Sequence, residues 1–404
     1  MRRFGLLLCI SLSVWAADNL QQIESQAAAL KAKGDPAGAL AAYQKAAELD
    51  PKSPRFQDEI GFLLAVMNRR DEAIHYFQKA LDLDPKFAPA HYHLGVALWL
   101  AKEPAQSVPQ LQTAAALDPD NAAYRIQLGE ALIATGQYQD AVSHLKAAAA
   151  LQPNNAQVWN RLGSALQKTE DTSGALDAYQ HAVDLDPADA GARNSLGLML
   201  VKMHRPEDGI AQFEKVIAAD PSNNMARVNI GFTHLEKGEL DQAIAMFRDV
   251  IARDPNIASA HYNLGVALKD KDDLDNAKLE FARALELDPG LSEACYMLGI
   301  IYWQSGDFAQ AAKEMRAAIA LKPDYADAYF MLGTALKQNG DLAAAEEALR
   351  TAMRLNPANP GPYNLLGEIL RKKGDIEGSE RMFTEGTRVK QKQESELGTM
   401  LQRN

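Results

Sequence analysis

Cysteine is almost absent from this 404-residue chain: Cys9 and Cys295 are the two. Cys9 falls in an apolar head. Once that head is removed, Cys295 has no partner and an intrachain disulfide is excluded. Basic residues are also in deficit, 42 Lys and Arg against 53 Asp and Glu, for a formal charge of −11. No basic stripe exists, which argues against nucleic acid as a ligand. The apolar run from Phe4 to Trp15 is too short to span a bilayer, and no membrane-spanning segment is expected in the mature chain. There is no phosphate-binding glycine loop, no serine nucleophile elbow and no zinc-ligand spacing. His91 and His93, two apart, point to different faces of any helix and cannot share a metal within it. "DKDDLDNAK" from Asp270 lacks the Gly and Glu of a calcium loop and reads as an inter-helix turn. No cofactor, metal or catalytic residue is therefore assigned. Aromatic residues make up only 7% of the chain, which fits a helical repeat rich in alanine.

What the sequence has in abundance is itself. "HYHLGVALW" from His91 returns as "HYNLGVALK" from His261, five periods of 34 residues later. Prolines recur at 51, 85, 119, 153, 187, 221, 255, 289, 323 and 357, and glycines at 61, 95, 129, 163, 197, 231, 265, 299, 333 and 367. Two residue types in phase at period 34 identify a tandem array. Eleven units start at 20, 54, 88, 122, 156, 190, 224, 258, 292, 326 and 360 and cover residues 20–393. Length alone suggests two or three domains, but the unbroken period overrides that. In the description that follows, a place is a position, 1 to 34, within a unit.

Apolar residues at places 7 and 11, such as Leu94 and Leu98 or Leu332 and Leu336, with Gly at place 8, form one face of a first helix. A break follows at places 15 and 16, as in Gly136-Gln137 and Gly306-Asp307, with glycine suited to a helix C-cap and an acid to the next helix start. A second helix carries a small residue at place 20 (Ala73, Ala141), a large one at 24 (Phe77, Tyr179, Phe247) and Ala at 27 (Ala80, Ala148). "LDP" then ends it. Small residues let the two backbones approach, the large one fills the space beside them, and stacked hairpins bury jointly what one cannot bury alone.

This pattern resembles the tetratricopeptide repeat: Leu at 7, Gly at 8, Ala at 20, Phe at 24, Ala at 27, Pro at 32. The resemblance implies an all-α fold, a right-handed α-solenoid superhelix of stacked helix-turn-helix hairpins. It also implies a concave groove, lined by the first helix of each unit, that binds protein or peptide segments. The family's aromatic at place 4 is present as Trp159, Tyr329 and Tyr363 but replaced by His91, Arg125, Arg193, Arg227, His261 and Cys295 elsewhere. Pro109 at place 22 is expected to delay or bend its helix, at a cost of about 3 kcal/mol. The last unit lacks the proline and runs on through residues 394–404 as a polar helical cap. The family's clamp for acidic peptide termini needs Lys at place 5 and Asn at 6 and 9; no unit has that set, so it is not expected here.

Places 4, 7, 8 and 11 share the packing face, so places 2, 5, 6, 9, 12 and 13 form the candidate groove. Place 5 supplies Tyr92, Tyr262, Tyr296 and Phe330; place 12 supplies Trp99, Trp303, Lys269, Lys337 and Arg371; place 6 supplies Asn229 and Asn263. Aromatics offer contact area at low entropic cost and amides can pair with an extended backbone. The same aromatics also read as packing against the neighbouring helix.

The head "MRRFGLLLCISLSVWAADNL" has a basic start, an apolar stretch and small residues Val14 and Ala16 around Trp15, the pattern of a secretory signal peptide over residues 1–16. Loss of Arg2 and Arg3 takes the charge to −13. The expected protein is thus exported, to a bacterial periplasm or beyond, and is a non-catalytic scaffold for protein or peptide segments. The alternative is a periplasmic assembly component of a polysaccharide-export or secretion system. An enzyme needs a catalytic domain, and too few residues lie outside the repeats to form one.

Overall fold

The computed structural model describes residues 19–401, with side chains to 396. The head and its expected signal peptide lie outside the described residues. Twenty-two helices and no strand are present among those described. The chain divides into two compact units, the second starting at Pro206. The first contains α1 (residues 19–32), α2 (Pro36–Leu49), α3 (Pro54–Val66), α4 (Arg70–Leu83), α5 (Ala88–Leu100), α6 (Pro104–Leu117), α7 (Ala122–Ala134), α8 (Tyr138–Leu151), α9 (Ala156–Lys168), α10 (Thr172–Leu185) and α11 (Ala190–Lys202). The second contains α12 (Pro206–Ala219), α13 (Asn224–Glu236), α14 (Leu240–Arg253), α15 (Ala258–Asp270), α16 (Leu274–Leu287), α17 (Ser292–Gln304), α18 (Phe308–Leu321), α19 (Ala326–Gln338), α20 (Leu342–Leu355), α21 (Pro360–Lys372) and α22 (Ile376–Leu401). Odd-numbered helices open each 34-residue repeat and even-numbered ones close it. Within each unit a helix packs on its hairpin partner, on the next hairpin and, for the odd helices, on the next odd helix. This is an α-solenoid.

The punctuation follows from the residue types. All eleven hairpins turn at place 15 through the left-handed region, with φ between +58° and +86°. Glycine takes six of these positions, where it carries no Cβ penalty; Asn68, Lys102, Glu170, His204 and Asp272 take the others. The following N–H then returns to a carbonyl five residues back, as Gln137 does to Leu132 at 2.8 Å. Asp35, Asp171, Asp273, Asp307, Asp341 and Asp375 cap the closing helices by accepting the N–H three residues on. The acid that precedes most of the phased prolines works similarly: Asp84, Asp186 and Asp254 accept the N–H two residues on and fix the turn between hairpins.

Glycine at place 8 is required by proximity. A Cβ on Gly61 would stand 2.7 Å from the Phe77 ring, and one on Gly231 2.6 Å from Phe247. Phe77, Leu111, Leu145, Phe247 and Phe281, all at place 24, are fully buried beneath these glycines. At place 20 of the third repeat, Ser107 donates to the Gly95 carbonyl at 2.8 Å across the hairpin. Places 3 and 10 are core as well, for example Ala90, Ala131 and Ala165 in the first unit and Ala260, Ala294 and Ile301 in the second.

Six of the side chains at place 4 make the same hydrogen bond. His91, Arg125, Trp159 and Arg193 each direct a ring or guanidinium N–H to the carbonyl of the proline six residues back, at 3.0, 2.6, 2.8 and 2.7 Å. In the second unit His261 does so through its ring and Tyr363 through its hydroxyl. Arg227 donates instead to the Asn223 carbonyl at 3.2 Å, and Cys295 is a buried thiol, so the bond is common at this place but not required.

Pro109 behaves differently from expectation. Helix α6 starts in register and runs through it unbroken. Pro109 lies on the exposed side of the second turn, so the carbonyl it leaves unpaired faces water. At the other end, place 28 is apolar in every earlier repeat, from Ala47 to Met353, and becomes exposed Thr387 in the last. Helix α22 continues to Leu401, with Gln393 donating to the Ala358 carbonyl at 2.8 Å. No helix among the described residues is long and apolar enough to cross a membrane.

Candidate binding face

Ion pairs between successive odd helices trace the face left over after packing. In the first unit Arg55 meets Glu24 at 3.5 Å, Lys31 meets Glu59 at 2.8 Å, His93 meets Asp58 at 2.8 Å, and Arg161 pairs with Glu130. In the second unit Lys337 pairs with Glu368. All these residues occupy places 2, 5, 6, 9 or 12, so within the first unit these places form a surface running from odd helix to odd helix, and in the second unit places 9 and 12 meet in the same way.

The second unit gathers eight of the candidate residues on four consecutive odd helices: Tyr262, Asn263 and Lys269 on α15, Tyr296 and Trp303 on α17, Phe330 and Lys337 on α19, and Arg371 on α21. Tyr92 and Trp99 stand on α5 in the first unit. Arg371 is exposed; Asn263, Lys269 and Lys337 are half-buried. Lys269 is held by Asp270 at 2.6 Å.

The aromatics at place 5 are half-buried, and each leans on a neighbour. Tyr92 stacks on Tyr124 of the next hairpin with ring centroids 4.7 Å apart, and Tyr296 lies 5.0 Å from Tyr325. The Phe330 ring lies against the backbone of Gly361, and Tyr262 packs 5.7 Å from Phe281. Place 5 therefore sits at the wedge between adjacent odd helices, and its rings both pack and present an edge. Trp303 is half-buried, and its indole N–H is enclosed without an acceptor among the described residues. Asn229 departs from expectation: it is buried, within a continuous buried stretch from Ala226 to Gly231. Helix α13 is enclosed on more than its core side, so place 6 is not an open surface there.

The electrostatics single out two carboxylates that sequence reasoning left aside. Burial pushes the Tyr262 phenol up, with Glu293 adding to it; burial and Asp327 do the same to Tyr296. Tyr325 is pushed furthest, by burial first and then by Tyr296, Glu293, Tyr262 and Asp327. Glu293 and Asp327 both occupy place 2, one repeat apart, and both are exposed. Their recurrence at period 34 was a readable signal.

Helix pairs repeating every 34 residues, glycine against a large side chain at the crossing in nine repeats and a left-handed turn at every place 15 leave one assignment. The chain belongs to the tetratricopeptide repeat family. The profile described as "Cilia and flagella-associated protein 70 C-terminal domain" matches residues 15–297, and two tetratricopeptide repeat profiles match residues 296–360 and 336–403. Among solved structures, yeast Tom70 is similar at 15% identity over 96% of this chain and 97% of that one, with a TM-score of 0.51. A tetratricopeptide repeat protein from Parabacteroides merdae ATCC 43184 is similar at 15% identity over 62% of this chain and 98% of that one, with a TM-score of 0.56. Both likenesses concern the fold alone. No curated protein matches the sequence.

Proposed function

We propose that the protein is a non-catalytic scaffold that captures protein or peptide segments on the odd-helix face of its second unit, from α15 to α21. The observation that supports this most is the run of half-exposed rings, amides and cations at places 5, 6 and 12 of four consecutive tetratricopeptide repeats. Rings held by packing on one side lose little entropy when their free edge is covered, and Asn263, Lys269 and Arg371 can pair with a guest's backbone or charges. The basic-then-apolar head supports export, so the guest is sought in the cell envelope or outside the cell.

The test is a photo-crosslinking amino acid placed singly at Asn263, Gln304 or Gln338 on the inner face, and at Leu279 or Lys313 on the outer face, in cells producing the full chain. Adducts from the inner positions alone are expected. Adducts from the outer positions alone, or equally from both, contradict the proposal. A reporter enzyme active only outside the cytoplasm, fused to the C-terminus, checks export; a silent reporter rejects it.

A further inference from the structure

We infer that one edge of this face, where Tyr262, Glu293, Tyr296, Asp327 and Phe330 alternate over α15, α17 and α19, docks an extended basic segment of a partner protein, one Lys or Arg side chain per hairpin. The inference rests on the scaffold reading above and specifies its guest.

The carboxylates carry the argument. Four other acids of the odd-helix faces already have a cation: Glu24 has Arg55, Glu59 has Lys31, Glu130 has Arg161, Glu368 has Lys337. Glu293 and Asp327 are exposed and in no ion pair with a cation of the chain among the described residues; the Ser292 hydroxyl donates to Glu293 at 2.9 Å. Each precedes a half-exposed ring by three residues on one helix face, Glu293 before Tyr296 on α17 and Asp327 before Phe330 on α19; a ring face attracts a cation while the carboxylate neutralises it. The chain shows the arrangement once on its own: Lys31 Nζ lies 4.1 Å from the Phe62 ring centroid and 2.8 Å from Glu59. A second cation, Lys322, already lies 4.8 Å from the Tyr325 ring at the margin of the cluster. A carboxylate in the first turn also suits the dipole of α17 and α19. That effect acts on stability whether or not a guest binds, so the test reads binding.

Spacing narrows the guest further. Packed helices lie about 8–10 Å apart, and a polyproline II strand returns to the same side every three residues, about 9 Å. Lys or Arg at every third residue of such a strand would meet one ring and carboxylate after another.

The probe is a fluorescent peptide with Lys at every third residue of a proline-rich background, titrated into the full chain by anisotropy. A matched peptide has Glu in place of Lys. The Lys peptide is expected to bind, more weakly as salt rises. The Glu293→Gln, Asp327→Asn double variant, isosteric and at exposed positions, is expected to lose about tenfold in affinity and most of the salt dependence, with an unchanged melting curve. Tighter binding of the Glu peptide, or unaltered binding by the double variant, overturns the inference. If inner-face crosslinking persists while either of those results is obtained, the scaffold reading stands and only the basic guest is rejected. If inner-face crosslinking is also lost, both fall.

Discussion

Two glycines of one hairpin, replaced singly by alanine, separate the two reasons this fold needs glycine. Gly129 lies inside α7, where a Cβ would stand 2.6 Å from Leu145 Cγ and 2.8 Å from Cδ2. Leu145 is fully buried and cannot retreat into solvent. Overpacking of this kind costs about 1–3 kcal/mol, against about 1 kcal/mol gained by alanine over glycine in a helix interior. A net loss of up to about 2 kcal/mol is expected for Gly129→Ala. Gly136 closes the same helix at φ +77°, and nothing lies within 4 Å of where its Cβ would be. Its replacement meets only the left-handed backbone penalty of about 1–2 kcal/mol, reduced by about 0.5 kcal/mol of unfolded-chain entropy. The two losses are similar in size but differ in cause, so the assay is a double-mutant cycle by urea denaturation. Leu145→Ala should rescue Gly129→Ala in part and leave Gly136→Ala untouched. A Gly129→Ala variant more stable than the parent, or a Gly136→Ala variant rescued by Leu145→Ala, refutes the close approach.

Other expectations are separate. Lys102→Gly and Glu170→Gly relieve left-handed strain at φ +62° and +63° and should each stabilise by about 0.5–1 kcal/mol in urea, additively because the sites are far apart in the chain. Pro109→Ala should raise the urea midpoint, but by less than the roughly 3 kcal/mol of an interior proline, because the freed carbonyl is hydrated. Combined replacement of Tyr262, Tyr296 and Phe330 by Ala should lower the melting temperature, since half-buried packed rings contribute about 1–2 kcal/mol each, whereas Arg371→Ala should stay within about 0.5 kcal/mol. Lys373 and Arg350 hold the Glu346 carboxyl below its ordinary range. Its contribution is therefore complete above that range and fades as pH falls through the folded-state value. Glu346→Gln should destabilise at neutral pH by up to about 1 kcal/mol and make no difference in strong acid.

The hairpin pattern was legible because its signals are backbone requirements. Place 15 needs a left-handed residue, place 8 has no room for a Cβ, and the proline stops a helix; each recurs in phase. Places 3 and 10 escaped because they are mostly alanine, which carries little hydrophobic contrast, yet they touch the next hairpin. The candidate face was legible only in part, for a related reason. Periodicity gives a side chain's direction relative to its own hairpin but not the position of the following one, so Tyr92 and Tyr296 read as outward although they stack forward. Asn229 shows the same limit, since nothing in place 6 reveals that α13 is enclosed. The division at Arg205 was also invisible, because the period passes through it unbroken.

Amine-labelling footprints of the full chain, taken with and without a captured guest, test the central claim most directly. Lys269, Lys337 and Lys372 on the odd helices of the second unit should lose reactivity on capture, while Lys313 on the opposite helix of its hairpin keeps its own. Protection of Lys313 with the other three unchanged would place the guest on the outer surface and contradict the account.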